Sequence, residues 1–157
     1  PAGSRGRTVP GSHLRMHTLS HCATAVCDAT AEVAFAFLAD PSRLGSWALG
    51  CWDARPVGER MVRGTSLFDA STAYVRADPD SIRLSVDFAV GADPDELVHR
   101  ISARVIPGPV LGFEGNRSLV TLLAWRQAGM LDDRWSLLVA SHEAEIHLLC
   151  ARIEETA

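Results

Sequence analysis

The chain is predicted to be an α+β domain of order β-α-α-β6-α, in which a seven-stranded curved antiparallel sheet wraps round a long C-terminal helix. Three observations predict it. Segment 82–88, "IRLSVDF", sets Ile82, Leu84, Val86 and Phe88 on one face and Arg83, Ser85 and Asp87 on the other, the period of a strand with one buried side. Segment 132–154 repeats apolar residues at helical spacing over about six turns. Between them, short runs of period two are separated by Gly-, Pro- and Asp-rich turns, the pattern of an antiparallel meander.

In order along the chain, residues 18–29 read as a first strand. Thr30 is a candidate N-cap for the helix that follows, with Asp28 and Glu32 placing negative charge at its positive end. Val33, Phe37 and Leu38 give that helix its apolar face. Asp40-Pro41 ends it, because the residue before proline is pushed out of the α region, and Pro41 suits the first turn of a second short helix, "PSRLGSWAL". Six strands then follow: "CWDARP", "RMVRGTSLFDA", "TAYVRA" with a turn at 78–81, "IRLSVDF", "LVHRISARVI" and "SLVTLLAWRQ". In the fifth of these, Ile101, Ala103 and Val105 oppose Arg100, Ser102 and Arg104; the sixth is apolar on both faces and is expected to be the more buried.

The final helix, 132–154, begins with Asp132 and Asp133, which suit its positive end. Its apolar stripe is Trp135, Leu138, Val139, His142, Ile146, Leu149, Cys150 and Ile153. Arg134, Ser141, Glu143, His147 and Glu154 are assigned to the opposite face. A helix of this length can lie along the whole sheet. A curved sheet leaves a helix unable to fill its concavity everywhere, so a small-molecule cavity is expected between them.

The 157 residues suit one domain, and 47% hydrophobic content supports a substantial core. Residues 1–17, rich in Gly, Pro, Ser and Arg, are read as a tag remnant or flexible arm, with a single domain over 18–157. The formal charge of −4 and the lack of a basic stripe argue against nucleic acid. No run of about 18 apolar residues is present, so no stable membrane insertion is expected. All 15 basic residues are arginine, which excludes Schiff-base chemistry on a lysine side chain. Arginine- and alanine-rich composition is associated with high-G+C bacterial genomes. Cys22, Cys27, Cys51 and Cys150 form no CxxC pair and are read as buried free thiols in a reducing cytoplasm. The sequence leaves a homodimer open.

Two segments carry a resemblance, "ATAEVAFAFLADPSRLGSWALG" (29–50) and "RWSLLVASHEAEIHLLCARIEE". Helix, D-P break, nearby tryptophan and a terminal amphipathic helix resemble the START-like helix-grip (SRPBCC) superfamily, which includes polyketide cyclase/dehydrase-like members, over roughly residues 20–155. The resemblance implies an apolar cavity between sheet and last helix, and its members include carriers, sensors and enzymes. In similar folds the mouth lies where the 69–72 turn, the 90–97 loop and the 127–132 entry to the last helix cluster. The acidic "GADPDE" at that end would disfavour anionic ligands entering.

His142 is the residue on the stripe with chemistry to offer. "HEAEIH" approaches the HExxH zinc motif but spaces its histidines by five, ~140° apart on a helix where the motif needs ~40°, so no metal site is expected. Glu143 and His147 read as a surface pair. His142 with Glu145 is the one acid/base couple that can be assembled, without an evident nucleophile or oxyanion site; no catalytic residue and no cofactor is assigned. Trp135, His142, Phe88, Leu138, Ile146 and Trp47 are the candidate ligand-binding residues. Trp135 lies on the stripe near the expected mouth, and Phe88 has inward strand parity. The leading expectation is a domain that binds a small, largely hydrophobic molecule. The alternatives are a cyclase/dehydrase- or aromatase-type enzyme using the same cavity, and a ligand-free protein-interaction module.

Overall fold

A computed structural model describes residues 19–157. The segment read from sequence as a tag or arm, 1–17, lies outside the described residues. The seven strands β1 (Ser20–Cys27), β2 (Trp52–Gly58), β3 (Met61–Thr65), β4 (Thr72–Asp80), β5 (Ser85–Gly91), β6 (Val98–Pro107) and β7 (Ser118–Trp125) form one antiparallel sheet. Their order is β1-β7-β6-β5-β4-β3-β2: the meander runs from β2 to β7, and β1 closes against β7. Helix α1 (Ala31–Ala39) follows β1, and helix α2 (Asp132–Glu154) ends the fold.

Local chemistry sets the element boundaries. The Thr30 hydroxyl accepts the Val33 N–H at 3.3 Å and caps α1. Asp40 ends α1 in an extended conformation, and its carboxylate caps the next turn by accepting the Ser42 N–H at 2.9 Å. The second helix expected from "PSRLGSWAL" is instead two 3₁₀ turns, Pro41–Ser46 and Leu49–Cys51. Gly45 is required there, since a Cβ would overlap the backbone nitrogen of Ala54 on β2.

Two strand readings need correction. The turn expected at 78–81 falls at 81–84, and β4 runs on through Asp78, Pro79 and Asp80. Pro79 is tolerated because β3 pairs with β4 only as far as Arg76, so the end of β4 has one open side and its missing N–H costs no ladder bond. Ile82, expected inward, is 94% exposed in that turn. The turn is held by Asp80, whose carboxylate accepts the Ile82 and Arg83 N–H groups, both at 3.0 Å. Leu84 leaves it at φ +51°, still packed against the core as expected, and regular inward alternation continues with Val86 and Phe88. On β7, Val120, Leu122 and Ala124 are fully buried while Trp125 is half-exposed, so this strand alternates rather than being equally covered on both faces.

The core lies between the sheet and the two helices. Val62, Val86, Val105, Val120 and Leu122 from the strands meet Ile146, Leu149 and Ile153 from α2, all essentially inaccessible to water. Burial of each such side chain stabilises the fold by about 1.5–3 kcal/mol. The C-terminal half of α2 packs over β1, and a disulfide between Cys27 and Cys150 fastens it there, with Cα atoms 5.2 Å apart. This corrects the reading of four free thiols: the cysteines are separated by 123 residues, and only the fold brings them together. Cys22 is exposed and unpaired, and Cys51 is a buried free thiol. Among the described residues, no helix is long and apolar enough to cross a membrane.

Candidate functional site

A cavity of about 60 Å³ lies between the sheet and the N-terminal half of α2. Val75 on β4, Phe88 and Val90 on β5, Ile101 on β6 and Leu122 on β7 form the sheet wall. Leu138, Ser141, His142 and Glu145 of α2 form the opposite wall, and Leu44, Trp47 and Ala48 close one side. Trp47 and Phe88 meet edge to face with centroids 6.2 Å apart, a favoured aromatic geometry. The half-buried Phe68, Arg100 and Arg134 form the solvent side. They come from the turn after β3, the start of β6 and the start of α2, the end where the mouth was expected. As it stands, the space holds a few waters, so a larger guest requires the walls to part.

Of the six candidate residues, Trp47, Phe88, Leu138 and His142 line this cavity. Trp135 and Ile146 do not. Trp135 packs with Ala124 and Leu138 in a separate small cluster, and Ile146 is buried in the main core. Helix geometry shows where the wall is centred. Arg134, Leu138, Ser141 and Glu145 stand at i, i+4, i+7 and i+11 and so share a ~60° sector, and Trp135 and Ile146 lie ~100° further round. His142 stands ~80° from Arg134, at the border between the cavity face and the core face. Sequence pattern weights apolar residues, so it centred the stripe on the face that meets the core. The adjacent face, with its polar members, meets the hollow. Arg134 and Ser141, assigned to the outer face, belong to the cavity wall.

Arg100 was also read as outward. On β5 and β6, Phe88 pairs with Ile101 but Ala89 pairs with His99, which leaves Arg100 without a cross-strand partner. This is a β-bulge, and it puts two consecutive residues, Arg100 and Ile101, on the cavity side. Strict alternation cannot show such an insertion.

The polar groups of the wall are unevenly satisfied. Glu145, 5% exposed, accepts the Leu49 N–H through Oε1 at 2.7 Å. Burial pushes its carboxyl up to about 7, against the lowering effect of the Leu49 and Gly50 amides. His142, 3% exposed, has Nε2 3.7 Å from Glu145 Oε2, beyond hydrogen-bond length, and its buried Nδ1 has no partner. Burial pushes His142 down to about 4, helped by the neighbouring His21 and the positive charge of Arg100. The two are therefore a neutral imidazole beside a protonated carboxyl in mildly acidic solution. Ser141 donates to the Leu138 carbonyl at 2.8 Å. Arg134 stacks over the Phe68 ring at 5.5 Å.

The zinc-like "HEAEIH" separates as its spacing requires: His142 is buried and His147 exposed. Glu143 does not pair with His147; its Oε1 lies 2.9 Å from His21 Nε2 on β1, without the alignment of a hydrogen bond. Among the described residues, no three metal-ligating side chains converge.

The sheet order, the single long helix across its concave face and the hollow between them decide the architecture. This is the helix-grip, START-like fold. Solved structures agree with it. A START superfamily protein from Mycobacterium smegmatis superposes with a TM-score of 0.64 at 10% identity, over 88% of this chain and 99% of that one. The Zhui aromatase/cyclase from a Streptomyces species gives 0.59 at 16% identity, over 87% and 93%. The di-domain aromatase/cyclase BexL gives 0.63 at 14% identity, over 86% of this chain and 46% of that one. No family model and no curated protein sequence matches the chain. At these identities the helix-grip likeness is one of fold, and activity must be argued from the cavity itself.

Proposed function

We propose that residues 18–157 act as a single helix-grip domain that binds a small, largely apolar molecule between the sheet and α2. The observation that carries this reading is the cavity wall: Val75, Phe88, Leu122 and Leu138 face one another across an unfilled space, with Trp47 beside them. Each 100 Å² of apolar guest surface removed from water there contributes about 2.5 kcal/mol of affinity. His142 supplies a polar contact on that wall. Among the candidates, Trp47, Phe88, Leu138 and His142 make the contacts, while Trp135 and Ile146 anchor the helix in the apolar clusters beside the cavity. A ligand-free interaction module calls for a filled interior, and the hollow favours the binding reading over it.

A second reading, an enzyme of the aromatase or cyclase kind, rests on the His142–Glu145 couple. Burial favours a neutral base and a protonated acid 3.7 Å apart in the same wall. Two of the similar structures are aromatase/cyclases. The cytoplasmic expectation rested on four free thiols, and the Cys27–Cys150 bond counts against it. Native mass spectrometry of protein purified from its source tests the binding reading: a co-purifying small molecule supports it. If His142→Leu leaves the thermal stabilisation by that molecule unchanged, the role given to His142 is wrong.

A further inference from the structure

Arg100 and Arg134 line the solvent side of the cavity, from β6 and from the first turn of α2. They are near enough for Arg134 to disfavour the charged form of Arg100, after burial itself. Two guanidinium groups beside one hollow repel each other, and neither has a carboxylate partner within ion-pair distance among the described residues. The Nε of Arg100 is buried with no hydrogen-bond partner at all. A buried charged donor left unmatched is costly, and arginine keeps its proton, so the cost is not relieved by titration.

The other groups on the wall do not offset this charge. Glu145 is the carboxyl lining the cavity, and it is turned to the Leu49 N–H. Asp69, on the turn after β3, is exposed and near enough to feel Arg134 but forms no ion pair with it; its Oδ1 accepts the hydroxyl and N–H of Ser71, at 2.6 and 3.1 Å. A β-bulge is what turns Arg100 inward, where regular alternation would leave it in solvent. The fold therefore brings a cation to an apolar cavity and leaves it without an anion.

We infer that the guest of this cavity carries a carboxylate head, held by Arg100 and Arg134, with its apolar body between Phe88, Leu122 and Leu138. This rests on the binding reading above and names the class of molecule that reading leaves open. A carboxylate fits the planar fork of a guanidinium and fills the empty donor of Arg100. Asp93, Asp95 and Glu96, exposed on the β5–β6 loop, give the rim the opposite sign. They slow the approach of an anion but are hydrated and screened, whereas the two arginines act at contact in a partly dry site.

The test is calorimetric titration of the wild type, Arg100→Gln and Arg134→Gln with two matched pairs: 1-naphthoate against 1-naphthalenemethanol, and octanoate against 1-octanol. The expected result is tighter binding of the acid of a pair by about tenfold or more in the wild type, falling toward parity in Arg100→Gln. Unliganded Arg100→Gln is expected to melt no lower than the wild type, because it removes an unmatched charge. Equal binding of acid and alcohol would overturn the carboxylate inference and leave the apolar-binding reading standing. An acid preference that survives both substitutions would overturn it too, since the head would be read elsewhere. Binding of none of the four probes would count against the binding reading and this inference together.

Discussion

Glu145 Oε1 accepts the Leu49 N–H at 2.7 Å, and this bond ties the middle of α2 to the 3₁₀ segment beside the cavity. The partners are 96 residues apart, one on each side of the meander. The bond fixes how far the short turns can move from the helix, and so how wide the hollow stands. Glutamine keeps an acceptor at this position and leucine does not. Glu145→Leu is expected to lose about 1–3 kcal/mol in urea unfolding at pH 6, because the Leu49 N–H is left buried without a partner. Glu145→Gln is expected to stay within about 1 kcal/mol of wild type at that pH. Equal losses for both would show that the bond does not matter.

The pH dependence of stability follows from the same pair. The Glu145 pKa is raised from 4.5 to about 7 in the folded chain, so its contribution is full below pH 4.5 and is lost as pH rises to 7. The His142 pKa is lowered from 6.5 to about 4, so its contribution is full above 6.5 and is lost as pH falls to 4. Each effect is about 3 kcal/mol, and the two oppose each other between pH 4.5 and 6.5. The wild type should be nearly flat across that window. Glu145→Gln should gain stability from pH 4 to 6.5, and His142→Leu should lose it from pH 4.5 to 7. Denaturant midpoints at four or five pH values check this, and parallel profiles for all three proteins would refute it.

The cysteines are expected to report the disulfide directly. Thiol titration of unfolded, unreduced protein should find Cys22 and Cys51 free and Cys27 and Cys150 blocked. In the folded protein Cys22 should alkylate readily and Cys51 slowly, since burial pushes the Cys51 thiol up to about 11. Replacing Cys27 and Cys150 by alanine should lower stability by about 2–4 kcal/mol, a large effect because the bond closes a loop of 123 residues. Four free thiols in protein from its source would contradict the bond.

Phe88→Ala should cost about 3–5 kcal/mol, since Phe88 is 2% exposed and supports Trp47 across the cavity. Gly45→Ala should also destabilise, by forcing the Pro41–Ser46 turn, which carries the cavity-lining Leu44, off β2. Thermal melts check both; a neutral Gly45→Ala would mean that the turn moves freely.

Much of this fold was legible in the chain because its signals are local. Asp132 and Asp133 with a sustained apolar period marked α2, Asp40-Pro41 marked the end of α1, and Val86 with Phe88 marked β5. The cavity wall was only partly legible. Trp47, Phe88, Leu138 and His142 were found because apolar or aromatic character is what burial patterns detect. Arg100, Arg134 and Ser141 were misplaced because polar residues facing a hollow look, in sequence, like polar residues facing solvent; Glu145 was reached only through its spacing from His142. The Arg100 bulge depends on the register between two strands, and the Cys27–Cys150 bond on a contact across the whole chain. Neither leaves a mark in the residues beside it.

The central claim is that a guest sits between the sheet and α2. Isotope-filtered NOE spectra of the protein with 1-naphthoate or 1-octanol, whichever binds, test it most directly. The account predicts contacts from the guest to methyl groups of Val75 and Leu122 on one side and Leu138 on the other. Contacts confined to exposed side chains such as Trp125, Leu131 or Val110, with none to these three methyl-bearing residues, would contradict it.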